Sequence, residues 1–143
     1  MHDIVHELTI AAEPQPIFDA VTTEAGIASW WTTDVAITTA DGAIEGAQVT
    51  LGFDDHQVVI ELRVDTLDPP LLAHLTCVDG PEEWPGTQIA FRVEPLDAGG
   101  SVVRFWHGGW EYEDGVVPRV SFDWAMYLDR LRRAVESDSG HPA

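Results

Sequence analysis

Residues 116–136, VVPRVSFDWAMYLDRLRRAVE, decide the fold of this chain. Apolar side chains recur in this segment at spacings of three and four, which places them on one face of an α-helix. They are Val117, Val120, Trp124, Tyr127, Leu128, Leu131 and Val135. At a rise of 1.5 Å per residue, the helix is about 30 Å long, enough to lie across a whole β-sheet. The segment therefore predicts a helix that covers the apolar face of a sheet.

From residue 33 to that helix, apolar and polar residues alternate, which is the pattern of half-buried β-strands. The alternating stretches are residues 49–53, 58–64, 71–78, 89–93 and 103–107. The turns between them are short and rich in Asp, Gly and Pro. Because short connections join antiparallel neighbours, we expect an antiparallel meander.

The N-terminal part predicts one strand followed by two short helices. Residues 6–11 alternate as a strand, and residues 17–22 and 24–31 read as helices. Pro14 and Pro16 suit the entry to the first helix, where the backbone N–H groups have no partner. The sequence thus predicts one α+β domain over residues 1–143, with a disordered tail at about 137–143 and an internal cavity between sheet and helix.

The composition excludes several classes of function. Asp and Glu total 25 against seven basic residues, all of them Arg, for a net charge of −18. A nucleic-acid binder needs a basic groove, and this chain has too few cations to form one. The acidity weighs equally against anionic membrane surfaces, and no apolar run approaches the ~20 residues of a membrane span. With Cys77 as the only cysteine and no visible signal peptide, we expect a cytoplasmic protein.

The usual signatures of catalysis and cofactor binding do not occur in the sequence. There is no Gly-rich phosphate loop and no G-x-S-x-G string. The six histidines show no helical spacing typical of metal ligands. The sequence therefore predicts no catalytic set, no metal and no cofactor.

Six tryptophans in 143 residues indicate either an aromatic-lined pocket or a filled aromatic core. The pocket interpretation suits an apolar ligand held by a few polar anchors. Its candidate lining residues are Trp30, Trp31, Phe53, Leu62, Phe91, Phe105, His107, Trp124, Tyr127 and Leu128. The sequence does not distinguish filled space from empty space, so both interpretations stay open here.

Five residues of the strands and the covering helix have a further interpretation. His107 is in phase with the inward positions of the strands, so it is either a polar anchor or general base in the cavity or a structural histidine. Asp123 or Tyr127 on the covering helix is a candidate partner for its ring. Phe122 and Met126 lie opposite the inward face of the helix, which makes them a candidate homodimer contact.

Several local strings resemble the START-like, or SRPBCC, superfamily, whose fold is the helix-grip. Its branch related to the activator of the ninety-kilodalton heat-shock protein ATPase is most similar. The matching strings are IAAEPQPIFDAVT at 10–22, TEAGIASWW at 23–31, WHGGW at 106–110 and WAMYLDRL at 124–131. The resemblance implies a curved antiparallel sheet wrapped around a long C-terminal helix, with an internal cavity.

The leading functional expectation is a non-enzymatic domain that binds a small apolar or aromatic molecule. One alternative is an enzyme similar to polyketide cyclases or dehydratases, in which His107 and Asp123 or Tyr127 form an acid–base pair. Another is a protein-interaction or stress-response module of the heat-shock ATPase activator type, which uses the acidic surface.

Overall fold

A computed structural model describes residues 2–138 as seven β-strands and three α-helices. The strands are β1 His2–Ile10, β2 Asp34–Ile37, β3 Gln48–Phe53, β4 Val58–Asp68, β5 Leu72–Asp79, β6 Gln88–Pro95 and β7 Ser101–Trp110. The helices are α1 Pro14–Thr22, α2 Glu24–Ala28 and α3 Val117–Asp138. The tail predicted at 137–143 overlaps α3 at its first two residues, and residues 139–143 lie outside the described part of the chain.

All seven strands form one antiparallel sheet in the order β1-β7-β6-β5-β4-β3-β2. Strands β2 to β7 are a meander, and β1 closes the far edge by pairing with β7. The two short helices connect the opposite edges of the sheet. This architecture confirms the predicted α+β helix-grip fold with its long C-terminal helix and two short helices after the first strand.

The structure differs from the predicted boundaries where tertiary contacts decide them. Strand β1 begins four residues earlier than expected, because the backbone near Ile4 pairs with β7 around His107. The second helix ends at Ala28 rather than at residue 31, and a turn carries the two tryptophans that follow. In that turn the Trp30 and Trp31 rings stack with centroids 5.1 Å apart, so both are buried.

The close contact between α1 and α2 depends on two residues. The Thr23 side chain accepts a hydrogen bond from the backbone N–H of Gly26 at 2.9 Å, which caps the first turn of α2. A Cβ on Gly26 would lie 2.4 Å from the carbonyl oxygen of Asp19. Only glycine therefore lets the two helices approach this closely, and this approach fixes where Trp30 and Trp31 enter the core.

Helix α3 lies against the concave face of the sheet through one apolar stripe. The stripe consists of the buried residues Val120, Trp124, Leu128, Leu131 and Val135. Full burial of each such side chain contributes about 1.5–3 kcal/mol. Phe122 and Met126 stay exposed on the opposite side of the helix, as the helical spacing predicts.

Candidate functional site

A cleft of about 440 Å³ opens between the β3–β4 hairpin, the loop before β6 and the first turns of α3. Five aromatic side chains line it, namely Trp31, Phe53, Trp84, Trp124 and Tyr127. Three aliphatic side chains, Val58, Ile60 and Val120, complete its apolar surface. This volume lies within the range of about 300–1,000 Å³ that is typical of small-molecule sites.

The aromatic rings form a continuous wall from the inside of the cleft to its rim. Trp31 and Trp124 are buried with centroids 5.0 Å apart, and the Tyr127 ring follows 6.5 Å from Trp124. The Phe53 ring lies 6.4 Å from Tyr127. Because Phe53, Trp84 and Tyr127 are only half-buried, their faces and edges are available to a bound molecule.

Three charged side chains, Asp54, Arg119 and Asp123, line the same cleft. Within residues 2–138, no ion pair joins any of them to another residue. Burial raises the pKa of the nearby Tyr127 phenol; Arg130 opposes this shift, and the negative charges of Asp123 and Asp54 add to it. The Tyr127 hydroxyl therefore stays protonated at neutral pH and can donate a hydrogen bond.

The β3–β4 turn that carries Asp54 has an unusual backbone. Asp54, Asp55 and His56 all have positive φ, at 53°, 58° and 67°, a conformation that side chains other than Gly, Asn and Asp rarely adopt. The His56 ring bonds to the carboxylate of Asp34 on β2 at 2.6 Å. A Cβ on Gly52 would lie 1.9 Å from that carboxylate, so the missing side chain makes room for the pair. The pair holds the turn at the mouth of the cleft.

His107 lies below the cleft with no exposed surface. The Trp124 indole N–H donates to its Nδ1 at 3.0 Å, so Nδ1 is unprotonated and the proton is on Nε2. Nε2 then donates to the Thr87 hydroxyl at 2.8 Å, and that hydroxyl donates to the Trp84 carbonyl oxygen at 2.7 Å. The chain of hydrogen bonds fixes the tautomer of His107 and connects three elements of the fold.

Both ring nitrogens of His107 are therefore engaged by Trp124 and Thr87, which leaves none for the predicted partners Asp123 or Tyr127. Burial lowers the pKa of His107 to about 3, so its ring is neutral at physiological pH. Trp84 and Trp110 cover it with ring centroids 4.8 Å and 4.5 Å away. This arrangement is that of a structural histidine.

The ten predicted lining residues fall into two groups. Four line the cleft: Trp31, Phe53, Trp124 and Tyr127. The other six are packed in the core with at most 2% of their surface exposed: Trp30, Leu62, Phe91, Phe105, His107 and Leu128. The space predicted as an internal cavity is thus filled along most of the sheet, and the open volume lies at one end of α3.

Sequence reasoning missed several residues of the cleft. Trp84 lies in an irregular loop, where no periodicity indicates the direction of its side chain. Asp123 was predicted only as a partner of His107, and Arg119 was not predicted, although it lies four residues before Asp123 at the border of the apolar stripe of α3. Asp54 was interpreted only as part of a turn.

Other features of the described residues carry less chemistry. A second depression of about 650 Å³ is larger, but Ala, Pro, Gly and one Glu line it, with no aromatic ring. Residues 2–138 contain no group of three His, Cys, Asp or Glu that could hold a metal ion. None of the helices in this part of the chain is both long and apolar enough to cross a membrane.

Comparison with known proteins identifies the family. The model of the family described as Activator of Hsp90 ATPase homolog 1-like protein matches residues 11–136. The chain belongs to this family. The match confirms the resemblance of the sequence to that branch of the START-like superfamily. A search of curated proteins gives no match.

Solved structures of other AHSA1-like and related proteins share the fold. The Aha1 dimer from Colwellia psychrerythraea is 29% identical, with a TM-score of 0.82 over 95% of this chain and 97% of that one. A protein from Mesorhizobium loti gives 0.79 at 15% identity, covering 95% and 98%. DynU16, from the dynemicin biosynthetic locus, gives 0.74 at 16% identity, covering 98% of this chain and 48% of that chain. The last two similarities concern the fold alone.

Proposed function

We propose that this AHSA1-like domain binds a small, mostly aromatic molecule in the cleft at the N-terminal end of α3. The observation that carries the proposal is the wall of Trp31, Trp124, Tyr127 and Phe53, which leaves about 440 Å³ open instead of closing on itself. Half-exposed aromatic rings that surround a concave space are a typical lining for such ligands.

Binding is favoured over catalysis because the histidine is sealed away from the cleft. His107 is neutral, has no exposed surface and has both ring nitrogens engaged. A general base must reach the proton that it removes, directly or through one water. The alternative of a polyketide cyclase-like or dehydratase-like enzyme therefore has no acid–base pair at His107.

The test uses 2-naphthalenemethanol, a neutral two-ring probe, in calorimetric titrations. The probe should bind at micromolar to submillimolar concentration, and Trp84→Ala and Phe53→Ala should each weaken it about tenfold, because each removes one ring from the rim. Trp106→Ala is the matched control, since Trp106 stacks on His74 outside the cleft with ring centroids 6.2 Å apart. Equal losses in the three variants, or binding only above millimolar concentration, would sink the proposal.

The domain is also proposed to form a homodimer through Phe122 and Met126. Both side chains are more than half exposed on the outer face of α3, at 65% and 53%, and the Colwellia relative is an Aha1 dimer. Analytical ultracentrifugation of the wild type should show a dimer, which the double substitution Phe122→Asp, Met126→Asp converts to monomer. A wild-type monomer at high concentration, or a dimer that persists in the double variant, would contradict this contact.

A further inference from the structure

We infer that the cleft selects organic cations, that is, aromatic or alkyl molecules carrying an ammonium group. This inference rests on the proposed binding function and names its ligand class. The observation that supports it is that five aromatic rings and the carboxylates of Asp54 and Asp123 line the same cleft.

The aromatic lining has the chemistry that a cation prefers. The face of an aromatic ring carries negative potential, and an ammonium group within about 6 Å of the ring centroid is attracted to it. The protein already uses one ring of the cleft in this way, since the Arg130 guanidinium lies 5.4 Å from the centroid of Tyr127. The face of an indole is the strongest cation acceptor among aromatic side chains, and the half-buried Trp84 lines the cleft together with the more deeply buried Trp31 and Trp124.

The two carboxylates add a charge that fits the same ligand. Asp54 and Asp123 both line the open volume, and within residues 2–138 neither has an ion-pair partner. Besides burial, the negative charges of Asp123 and Asp54 raise the pKa of the Tyr127 phenol, and the positive charge of Arg130 lowers it. The Arg130 guanidinium already lies over the Tyr127 ring. An ammonium group in the open volume would therefore meet the two carboxylates together with the rings of Trp84 and Phe53.

Among the described residues, Arg119 is the one cation that lines the cleft, and it favours the opposite charge on a ligand. Its side chain is exposed and has no ion-pair partner among residues 2–138, so it can turn towards solvent when a cation enters. The two shorter aspartates have less freedom to withdraw. The field of the whole molecule, with a net charge of −18, further concentrates cations and repels anions.

The experiment compares three probes that share the naphthalene ring and differ in charge: (2-naphthylmethyl)trimethylammonium, 2-naphthalenemethanol and 2-naphthoate. Isothermal titration at low and at physiological salt should rank their affinities as cation, then neutral alcohol, then anion. We expect the cation to bind about tenfold more tightly than the alcohol. Equal affinity for cation and alcohol would overturn the cation inference and leave the proposed function standing. Failure of all three probes would overturn both.

Variants separate the local carboxylates from the general charge of the protein. Asp54→Asn with Asp123→Asn keeps the side-chain shapes, and asparagine tolerates the positive φ of 53° at position 54. This double variant should lose most of the preference for the cation and keep its affinity for the alcohol. Asp41→Asn with Asp97→Asn removes the same charge from exposed sites that do not line the cleft, so it should keep the preference. An equal loss in both double variants would assign the preference to the overall field and overturn the inference.

Arg119→Gln gives an independent check of which ligand charge the cleft prefers. Removing this positive charge should tighten binding of the ammonium probe by about two- to threefold. Tight binding of 2-naphthoate by the wild type, lost in Arg119→Gln, would show an anion site and overturn the inference.

Discussion

The two ends of the aromatic interior solve the same packing problem in different ways. Around His107, hydrogen bonds run in one chain from the Trp124 indole through the His107 ring and the Thr87 hydroxyl to the Trp84 carbonyl oxygen. Each of these buried polar groups therefore has a hydrogen-bond partner. At the cleft, Asp54 and Asp123 face open space. Trp124 belongs to both regions, because its N–H bonds to His107 and its ring lines the cleft.

This difference separates the two roles of the aromatic residues: those around His107 stabilise the fold, and those at the cleft leave room for a ligand. Buried polar groups must be paired, so a histidine inside the core needs its full set of partners. In a cleft that is open to water, the charged groups are hydrated and need no partner from the protein, so they remain available to a ligand. The same kinds of side chain therefore serve as core at one end and as candidate site at the other.

The largest expected effect comes from truncating one phenylalanine in each region. Phe91→Ala in the core should lower the free energy of unfolding by about 3–5 kcal/mol, because it leaves a closed cavity. Phe53→Ala at the half-buried rim should cost roughly 1–2 kcal/mol, because water fills the space. Urea unfolding of both variants measures the two losses. Equal losses would erase the distinction between core and cleft.

A second prediction concerns the pH dependence of the core. Burial holds the pKa of His107 at about 3 in the folded protein, against ~6.5 when unfolded. The unfolded state alone gains this proton as pH falls, so the contribution to stability is intact above pH ~6.5 and declines steadily down to pH ~3. Between pH 7 and pH 5 the loss amounts to about 2 kcal/mol.

His107→Gln isolates this contribution from the protonation of carboxylates. The variant should show a shallower fall in unfolding free energy over the same pH range. In the wild type, the ring protons of His107 should not titrate by NMR between pH 8 and pH 5. Titration of His107 with a midpoint above pH 6 would contradict the sealed arrangement.

The smallest expected effect lies at the mouth of the cleft. Gly52→Ala places a Cβ against the Asp34 carboxylate and should cost about 1–2 kcal/mol while disturbing the β3–β4 turn. In an Asp34→Ala background the nearest obstacle is gone, and the His56 ring, 2.7 Å from that Cβ, has lost its partner and is free to move, so most of this cost should disappear. A double-mutant cycle by urea unfolding measures the coupling between Gly52 and Asp34. Additive losses would show that the Asp34 carboxylate is not what excludes a Cβ at position 52.

Most of the fold could be predicted because its periodicities are strong. Val58 to Val64 alternate with a period of two, and the stripe from Val120 to Val135 repeats every three or four residues. Boundaries set by distant partners could not be predicted in this way. Strand β1 extends to His2 because it pairs with β7, and α2 ends early because Trp30 donates to the carbonyl oxygen of Ala20 at 2.8 Å.

The site was less predictable than the fold. An inward-facing residue such as Phe91 or Phe105 gives the same sequence pattern whether it lines a cavity or fills a core. Trp84 carries no pattern because it lies in a loop, although it covers His107 and lines the cleft. Which space remains open depends on how the side chains pack together, and period alone does not specify that.

The six tryptophan indoles allow the most direct test, because each reports on one place in the fold. In a ¹H–¹⁵N NMR titration with 2-naphthalenemethanol, the indole N–H signals of Trp31 and Trp84 should shift the most. Those of Trp30 and Trp110, which are bonded inside the core, and of Trp106 on the other face of the sheet should stay in place. Shifts confined to Trp106, or spread evenly over all six indoles, would contradict a binding site in this cleft.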